Sequence, residues 1–168
     1  MTAKERREQI YRQLTTAPVS ATALAKQFAV SRQVVVGDIA LLRAEGCSIT
    51  ATARGYIIPD EAALTYRIAT VHTAQQTREE LYLMVDCGCT VQDVIVEHPV
   101  YGQLTAALQL SSRYDVDQFM IRMADNDARP LSLLTEGIHL HTVSCPTADA
   151  MRHMKAQLRA MGVLLEEN

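Results

Sequence analysis

The first 58 residues carry the pattern that most constrains the fold of this chain: three short helical segments followed by two short extended runs. Apolar residues recur every three or four positions in the helical segments, and a proline or a glycine ends the first and the third. A serine stands immediately before the second and before the third, where its side chain can cap a helix start. We therefore expect helices over residues 4–15, 21–28 and 32–45, and strands over residues 48–52 and 55–58.

This order of elements predicts a winged helix-turn-helix, with a tight turn at Ala29-Val30 between the second and third helices. The start of the third helix would enter the major groove of DNA, where free N–H groups and the positive end of the helix dipole favour phosphate. A plain three-helix bundle used for dimerisation is the alternative. We expect DNA contacts from five residues: Ser31, Arg32, Gln33, Arg43 and Arg54.

One position departs from the usual pattern of such a helix. Gly37 lies in the middle of the third predicted helix, where glycine costs about 1 kcal/mol relative to alanine. It also removes a side chain that could read a base. The bases contacted by this helix therefore do not follow from the sequence.

The charge distribution supports a DNA-binding role for the first third of the chain. Residues 1–58 hold eight lysines and arginines against four acids, a net charge of +4, whereas the whole chain has a net charge of -3. A basic module joined to an acidic one indicates that the basic part faces a polyanion. We expect a DNA-binding domain over residues 1–59 and a second domain over residues 60–168.

Composition excludes several other classes of protein. Hydrophobic residues make up 48% of the chain and charged residues 21%, which excludes a disordered chain. No run of 18 uncharged apolar residues is present, so we expect no membrane span. The N-terminus shows no secretory signal, and four cysteines suit a reducing compartment better than a disulfide framework. These features predict a cytoplasmic protein.

The second domain is expected to alternate strands and helices in the order β-α-β-β-α-β-α. The strands are predicted over residues 67–73, 91–97, 103–110 and 138–143, and the helices over residues 77–87, 114–124 and 147–161. Thr77 and Glu80 have the spacing of a capping box at the start of the first of these helices. The order predicts an α+β domain, an open-faced sandwich with helices on one face of the sheet.

Three histidines and a glutamate in this domain have the chemistry of a transition-metal site. His139 and His141 are two residues apart on one predicted strand, so their side chains share a face. His72 would be a third ligand if the first strand neighbours the last, and Glu80 would offer a carboxylate. Such ligands fit zinc, nickel or iron(II) better than calcium or magnesium. The alternatives are two histidines on a solvated sheet face, and a glutamate used only for helix capping.

Three further residues are candidates for binding a small molecule. His98 and Tyr101 offer hydrogen bonds and an aromatic face, and Arg113 is suited to pairing with a carboxylate. The alternatives are a tight turn for the first two residues and a surface charge at a helix end for the third.

Several segments together resemble the three-histidine (3H) domain. They are Glu97–Gly102 with its His-Pro-x-Tyr-Gly pattern, Ser112–Val116, and Leu134–Thr142 with its Gly-x-His-x-His pattern, along with His72 and Glu80. The helix-turn-helix is similar to that of small bacterial repressors. The combination resembles niacin-responsive repressors of NAD biosynthesis and niacin uptake, which implies an HPr-like fold for the second domain.

The resemblance also implies a ligand set, an effector and partners. It implies one divalent transition metal per chain held by His72, Glu80, His139 and His141. It implies nicotinic acid as co-repressor, and a homodimer on an inverted-repeat operator, with no membrane partner. Two rivals stay open: a regulator that responds to the metal alone, and a metal-dependent hydrolase. Because the sequence offers no clear general base and no nucleophile elbow, we expect a regulator and not an enzyme.

Overall fold

A computed structural model describes residues 1–166 and divides the chain into two compact units, Met1–Glu61 and the part from Ala62 onward. Among the described residues, no helix is both long and apolar enough to cross a membrane. The first unit contains the predicted elements in the predicted order: α1 (Ala3–Gln13), α2 (Ala21–Gln27), α3 (Arg32–Ala44) and an antiparallel hairpin of β1 (Thr50–Thr52) with β2 (Gly55–Ile57).

One apolar cluster holds the first unit together, and its members face inward from all three helices. Ile10, Leu24 and Val35 are completely buried within it. The predicted caps are present, since Oγ of Ser20 accepts the N–H of Ala23 at 3.1 Å and Oγ of Ser31 accepts the N–H of Val34 at 3.3 Å. The helix that should contact DNA therefore has a well-defined start.

A partly buried ion pair joins α1 to α3. Arg6 donates from Nε to Oδ2 of Asp38 at 2.6 Å and from Nη2 to Oδ1 at 3.1 Å. Asp38 is buried in the middle of α3, and the hydrogen bond to it raises the pKa of Arg6. This two-point contact fixes the orientation of α3 against α1.

The second unit is built on a four-stranded antiparallel sheet with the spatial order β3-β6-β4-β5. Burial alternates along β6, so one face of the sheet is covered while the other is partly exposed. This arrangement confirms the predicted order, including the strand over 103–110. The elements are β3 (Thr65–Val71), α4 (Thr77–Asp86), β4 (Thr90–His98), β5 (Gly102–Leu110), α5 (Arg113–Asp125), β6 (Ile138–Ser144) and α6 (Ala148–Met161).

The second unit also contains features that the sequence analysis does not predict. Two short 3-10 helices occur, over Ala74–Gln76 and Leu131–Thr135. After α6 the chain pairs with the free edge of β3, where Leu164 forms a bridge with Thr70. This pairing adds hydrogen bonds beside the strand that leads to His72.

The structure corrects the expectation that the cysteines form no disulfide. Cys89 and Cys145 are joined, with their Cα atoms 4.3 Å apart. The cause is strand register: they adjoin Thr90 and Ser144, which are paired at the ends of β4 and β6. Such a pairing depends on which strands become neighbours, so spacing along the sequence does not reveal it.

Candidate functional site

The pairing of β3 with β6 brings the predicted metal ligands together. Thr70 on β3 lies opposite His139 on β6, and His72 follows directly after β3. His139 and His141 share the buried face of β6 because side chains alternate along a strand. α4 covers this face and places Glu80 against it.

Glu80 lies at the centre of this histidine cluster, which consists of His72, Glu80, His139 and His141. Its Oε2 atom is 2.6 Å from Nε2 of His72, 3.4 Å from Nε2 of His139 and 3.3 Å from Nε2 of His141. The hydroxyl of Thr70 donates to its Oε1 atom at 2.6 Å. The carboxylate is only 1% exposed, so all of these contacts are shielded from solvent.

The predicted capping box at Thr77 and Glu80 is wrong. α4 begins with Thr77 itself, and its N-cap residue, Gln76, makes no side-chain cap. A capping box occurs one turn earlier, where the N–H of Thr73 donates to Oε1 of Gln76 at 3.1 Å. The carboxylate of Glu80 points to the sheet instead, because three imidazoles and a hydroxyl meet it there.

The second nitrogen of each clustered histidine faces a backbone carbonyl. A carbonyl only accepts, so each Nδ1 atom carries a proton and donates it. In the neutral ring this leaves the lone pair on Nε2, directed at the centre of the cluster. Contacts of this kind orient metal-binding histidines. The acceptors are the carbonyls of Thr73, Gly137 and Asp93, at 2.7, 2.8 and 2.7 Å from Nδ1 of His72, His139 and His141 respectively.

Burial and charge act in opposite directions on the pKa values of the cluster. Burial raises the pKa of Glu80, but the charge of His141 and hydrogen bonds from all three histidines lower it well below its usual value. Burial lowers the pKa of His72 and of His141, but the hydrogen bonds and negative charge of Glu80 more than offset this and raise both. Glu80 is therefore ionised at neutral pH, and the cluster favours a cation.

The donor atoms fit a transition-metal ion. Ligand atoms of His72, Glu80 and His139 all lie within 4.8 Å of one another, and Nε2 of His141 is 3.3 Å from Glu80. Bonds of 2.0–2.1 Å in a tetrahedral zinc site place ligand atoms roughly 3.3 Å apart. The distances from His139 and His141 to Glu80 already match this separation. Three imidazoles and a carboxylate suit zinc, nickel or iron(II).

Gly137 controls the approach of β6 to His72. Its φ is +93°, and a Cβ atom there would lie 2.4 Å from the carbonyl oxygen of His72. Its own carbonyl accepts the proton of His139. In the sequence this glycine is visible only as part of a motif, and no sequence pattern points to Thr70, whose hydroxyl donates to Glu80.

A cavity opens beside the histidine cluster. Its lining includes the cluster and several apolar side chains, among them Leu108, Phe119 and Leu131. The hydroxyl-bearing residues Thr77 and Ser132 also line the wall. The volume of the cavity is about 40 Å³, well below the roughly 300–1,000 Å³ of small-molecule sites. A ring compound would therefore enter it only if the surrounding side chains move.

The structure places His98, Tyr101 and Arg113 away from this cavity. Nδ1 of His98 accepts the N–H groups of Val100 and Tyr101, both at 3.1 Å, within the turn between β4 and β5. Tyr101 is 76% exposed. Arg113 pairs with Asp86 at 2.8 Å, at the surface. Among the described residues, none of the three predicted effector contacts lines the cavity, and effector binding by them stays a prediction.

The predicted DNA contacts lie at the surface of the first unit. Ser31, Arg32 and Gln33 are exposed at the start of α3, and Arg43 is exposed in its last turn. Arg54 is half-buried, in the turn between β1 and β2. Ser31, Arg32 and Gln33 are thus placed at the start of α3, and Arg54 lies in the turn of the hairpin that forms the wing.

Comparison with known proteins yields two family matches and two related proteins. The family model of the 3H domain matches residues 65–167, and that of an HTH domain matches residues 6–57. The chain is 43% identical over 155 residues to the transcription repressor NadR of Bacillus subtilis. It is 40% identical over 151 residues to a probable transcription repressor NiaR of Thermotoga maritima. Each alignment covers 89% of this chain and 86% of the relative.

Proposed function

The chain belongs to the 3H-domain family of transcription repressors, and from this premise we propose that it represses its target genes when nicotinic acid binds to the second unit. Its partner through the helix-turn-helix is DNA. The genes that we expect it to control serve NAD biosynthesis or niacin uptake. Its relatives are named as repressors, which agrees with a regulator and not an enzyme.

The observation that carries the proposal is the convergence of three Nε2 atoms on one buried carboxylate. In our proposal His72, Glu80, His139 and His141 hold one divalent transition metal per chain, either zinc, nickel or iron(II). When bound, the ion supplies a positive charge and a Lewis-acid position beside the cavity. The carbonyls that accept from Nδ1 keep the histidines in the orientation that this role requires.

The cavity beside the cluster is where we place nicotinic acid. Phe119, Leu108 and Leu131 offer apolar surfaces to a pyridine ring, and the metal held by the histidine cluster would attract the carboxylate. Because the cavity is small, we expect its side chains to move apart when the ring binds. This placement replaces His98, Tyr101 and Arg113 as the first effector contacts to be tested.

Repression also requires a specific arrangement on DNA. We propose a homodimer in the cytoplasm that sets two basic first units on an inverted-repeat operator, with half-sites about one helical turn apart. Residues 1–58 of each chain bring a net charge of +4 to the phosphates. Direct contacts would come from Ser31, Arg32 and Gln33 in the major groove, and from Arg43 and Arg54 on the backbone.

The test is operator binding with the metal-loaded protein. A fluorescent fragment of upstream DNA is titrated at fixed salt, with and without nicotinic acid, because phosphate contacts make affinity depend steeply on salt. We expect nicotinic acid to tighten binding, and the response to disappear in His139→Ala. His153→Ala is the matched control, since this histidine is exposed on α6 and lies outside the cluster. Sequence-specific binding that ignores nicotinic acid would contradict the proposed effector.

A second candidate keeps the repressor and makes the metal itself the signal. It is favoured by the protein's own donor atoms, because those of His72, Glu80 and His139 already lie within 4.8 Å of one another without an effector. The same titration separates the two proposals when metal is added without nicotinic acid. Full operator binding under that condition would favour the metal-responsive regulator.

A further inference from the structure

The cavity beside the histidine cluster contains one polar group that the proposed function leaves unused. Among residues 1–166, Oγ1 of Thr77 is the one side-chain oxygen or nitrogen that is buried without a hydrogen-bond partner. Thr77 is 8% exposed and lines the cavity together with His72 and Glu80. A buried hydroxyl without a partner is unfavourable, because its lost hydrogen bonds to water are not replaced.

No role in the local fold accounts for this hydroxyl. A threonine at a helix start commonly caps the first turn, but Thr77 is already the first residue of α4. The capping box belongs to Thr73 and Gln76, one turn earlier. Glu80 turns away from the helix start towards Thr70 and the histidines. The partner that remains for the hydroxyl of Thr77 is a molecule in the cavity, which is water in the ligand-free protein and a ligand when one is bound.

The position of the hydroxyl determines which chemical group it suits. α4 has ten residues, and the positive end of its dipole lies at Thr77, where negative charge is stabilised. The carboxylate of Glu80 is already held by the histidines and Thr70, so it does not compete for this hydroxyl. The group that fits is an acceptor carrying negative charge, such as a carboxylate oxygen.

We propose that Thr77 is the residue that selects an acid over an amide, by donating its Oγ1–H to one carboxylate oxygen of the effector. The inference rests on the proposed function, because that function places the effector in this cavity. A hydrogen bond to an ionised acceptor is about twice as strong as one to a neutral acceptor. Nicotinate and nicotinamide share the pyridine ring and differ in this group, so Thr77 distinguishes between them.

The test is calorimetric titration of the full-length, metal-loaded chain with nicotinate and with nicotinamide. Thr77→Val removes the hydroxyl at nearly constant volume, and Thr77→Ser is the matched control that keeps it. In Thr77→Val we expect nicotinate affinity to fall about tenfold to a hundredfold, with much less change for nicotinamide. Thr77→Ser should keep the preference for the acid. Metal content, measured on each sample, should be the same in all of them.

A second measurement separates ligand contact from a structural role. The melting temperature of ligand-free Thr77→Val should equal or exceed that of the parent, because the variant loses an unpartnered buried hydroxyl. A lower melting temperature with equal losses for both ligands would overturn the inference. If Thr77→Val fails to fold, Thr77→Ala provides the same comparison of acid and amide.

The outcomes also separate this inference from the function on which it rests. If the parent protein and Thr77→Val bind nicotinate equally well, the role of Thr77 is overturned and the repressor proposal stands. Parent protein that binds no nicotinate would overturn both.

Discussion

Gly137 shows how a single backbone position controls the histidine cluster. Its carbonyl orients His139, its own N–H donates to the carbonyl of Ser132 at 2.8 Å, and its α-carbon faces the carbonyl of His72. Because φ is +93°, any other residue is strained there, and a Cβ atom has no room. A glycine is therefore required for the ligand geometry as well as for the turn.

We predict that Gly137→Ala lowers metal affinity about tenfold to a hundredfold, because it displaces the backbone groups that hold His72 and His139. Zinc affinity measured by competition with a chromophoric chelator checks this. The matched control is Gly162→Ala, since Gly162 also has a positive φ but its Cβ atom would contact nothing within 4 Å. The control should lose only about 1–2 kcal/mol of folding free energy and keep its zinc affinity. Equal losses of zinc affinity in both variants would contradict the prediction.

The pKa shifts in the cluster predict how metal stabilisation depends on pH. In the metal-free protein His72 and His141 have raised pKa values, so they stabilise the fold fully at a pH below the ordinary pKa of histidine. This contribution is lost as the pH rises through the raised pKa values. Glu80 has a lowered pKa, so it stabilises the fold fully at a pH above the ordinary pKa of glutamate. This contribution is lost as the pH falls through the lowered pKa. A bound ion instead requires neutral histidines.

The increase in melting temperature on adding zinc should therefore be small near about pH 6 and larger near about pH 8. Thermal unfolding with and without zinc across this range measures it. An increase that stays constant or shrinks as pH rises would show that the histidines do not release protons on binding the ion.

At the scale of single residues, the sequence predicts the cluster but only part of its surroundings. His139 and His141 follow from strand periodicity, and His72 follows once the first and last strands are neighbours. Glu80 is ambiguous, because the same spacing predicts a capping box, and only the three-dimensional contacts decide between the two roles. The backbone carbonyls that orient the histidines cannot be identified from the sequence. Every residue has a carbonyl, and which one faces each Nδ1 atom depends on how the strands are paired.

Individual elements follow from the sequence wherever a local rule applies. Ser20 and Ser31 start their helices as N-caps, and the alternation of residues 103–110 predicts β5 correctly. The short 3-10 helices and the pairing of the segment after α6 with β3 do not follow, because they arise from tertiary contacts. The disulfide between Cys89 and Cys145 belongs to the same class, since it depends on the pairing of β4 with β6.

Helix α3 contains a glycine that lowers helix stability, and no contact within the first unit requires a glycine there. Gly37 is exposed in the helix interior, and a Cβ atom there would contact nothing within 4 Å. Gln33, Ala40 and Ala44 are also exposed on this helix, away from the buried side chains. Larger side chains, Val34 and Leu41, are exposed one turn before and one turn after Gly37. Gly37 therefore leaves a local gap between them, where a base edge or a phosphate could approach the backbone. Local rules are most often broken at functional sites.

We predict that Gly37→Ala stabilises the protein by about 0.5–1 kcal/mol and weakens operator binding several-fold. Urea unfolding measures the first effect and fluorescence anisotropy with operator DNA the second. Ala40→Gly is the matched control for helix propensity and should lose a similar amount of stability. Operator affinity that is unchanged or higher in Gly37→Ala would show that the glycine does not serve DNA contact.

At the scale of the whole molecule, two units of opposite charge divide the work. The net charge of -3 describes neither, because the first 58 residues carry +4. The basic unit accounts for attraction to phosphates, and the second unit holds the histidine cluster and its cavity. The division follows from the sequence because charge is a sum over residues. The coupling between the units does not follow, because it is a free-energy difference between states of the molecule.

That coupling is reciprocal by thermodynamic necessity. A ligand shifts the protein towards its DNA-binding state only if it binds that state more tightly. A coupling of about 1–3 kcal/mol would raise operator affinity roughly 5- to 150-fold. We therefore predict that saturating operator DNA tightens nicotinate binding by the same factor as nicotinate tightens operator binding. Calorimetric titrations of nicotinate into the free protein and into the operator complex, at one salt concentration, give the two values. Unequal factors, beyond experimental error, would mean that nicotinate does not act through one coupled equilibrium.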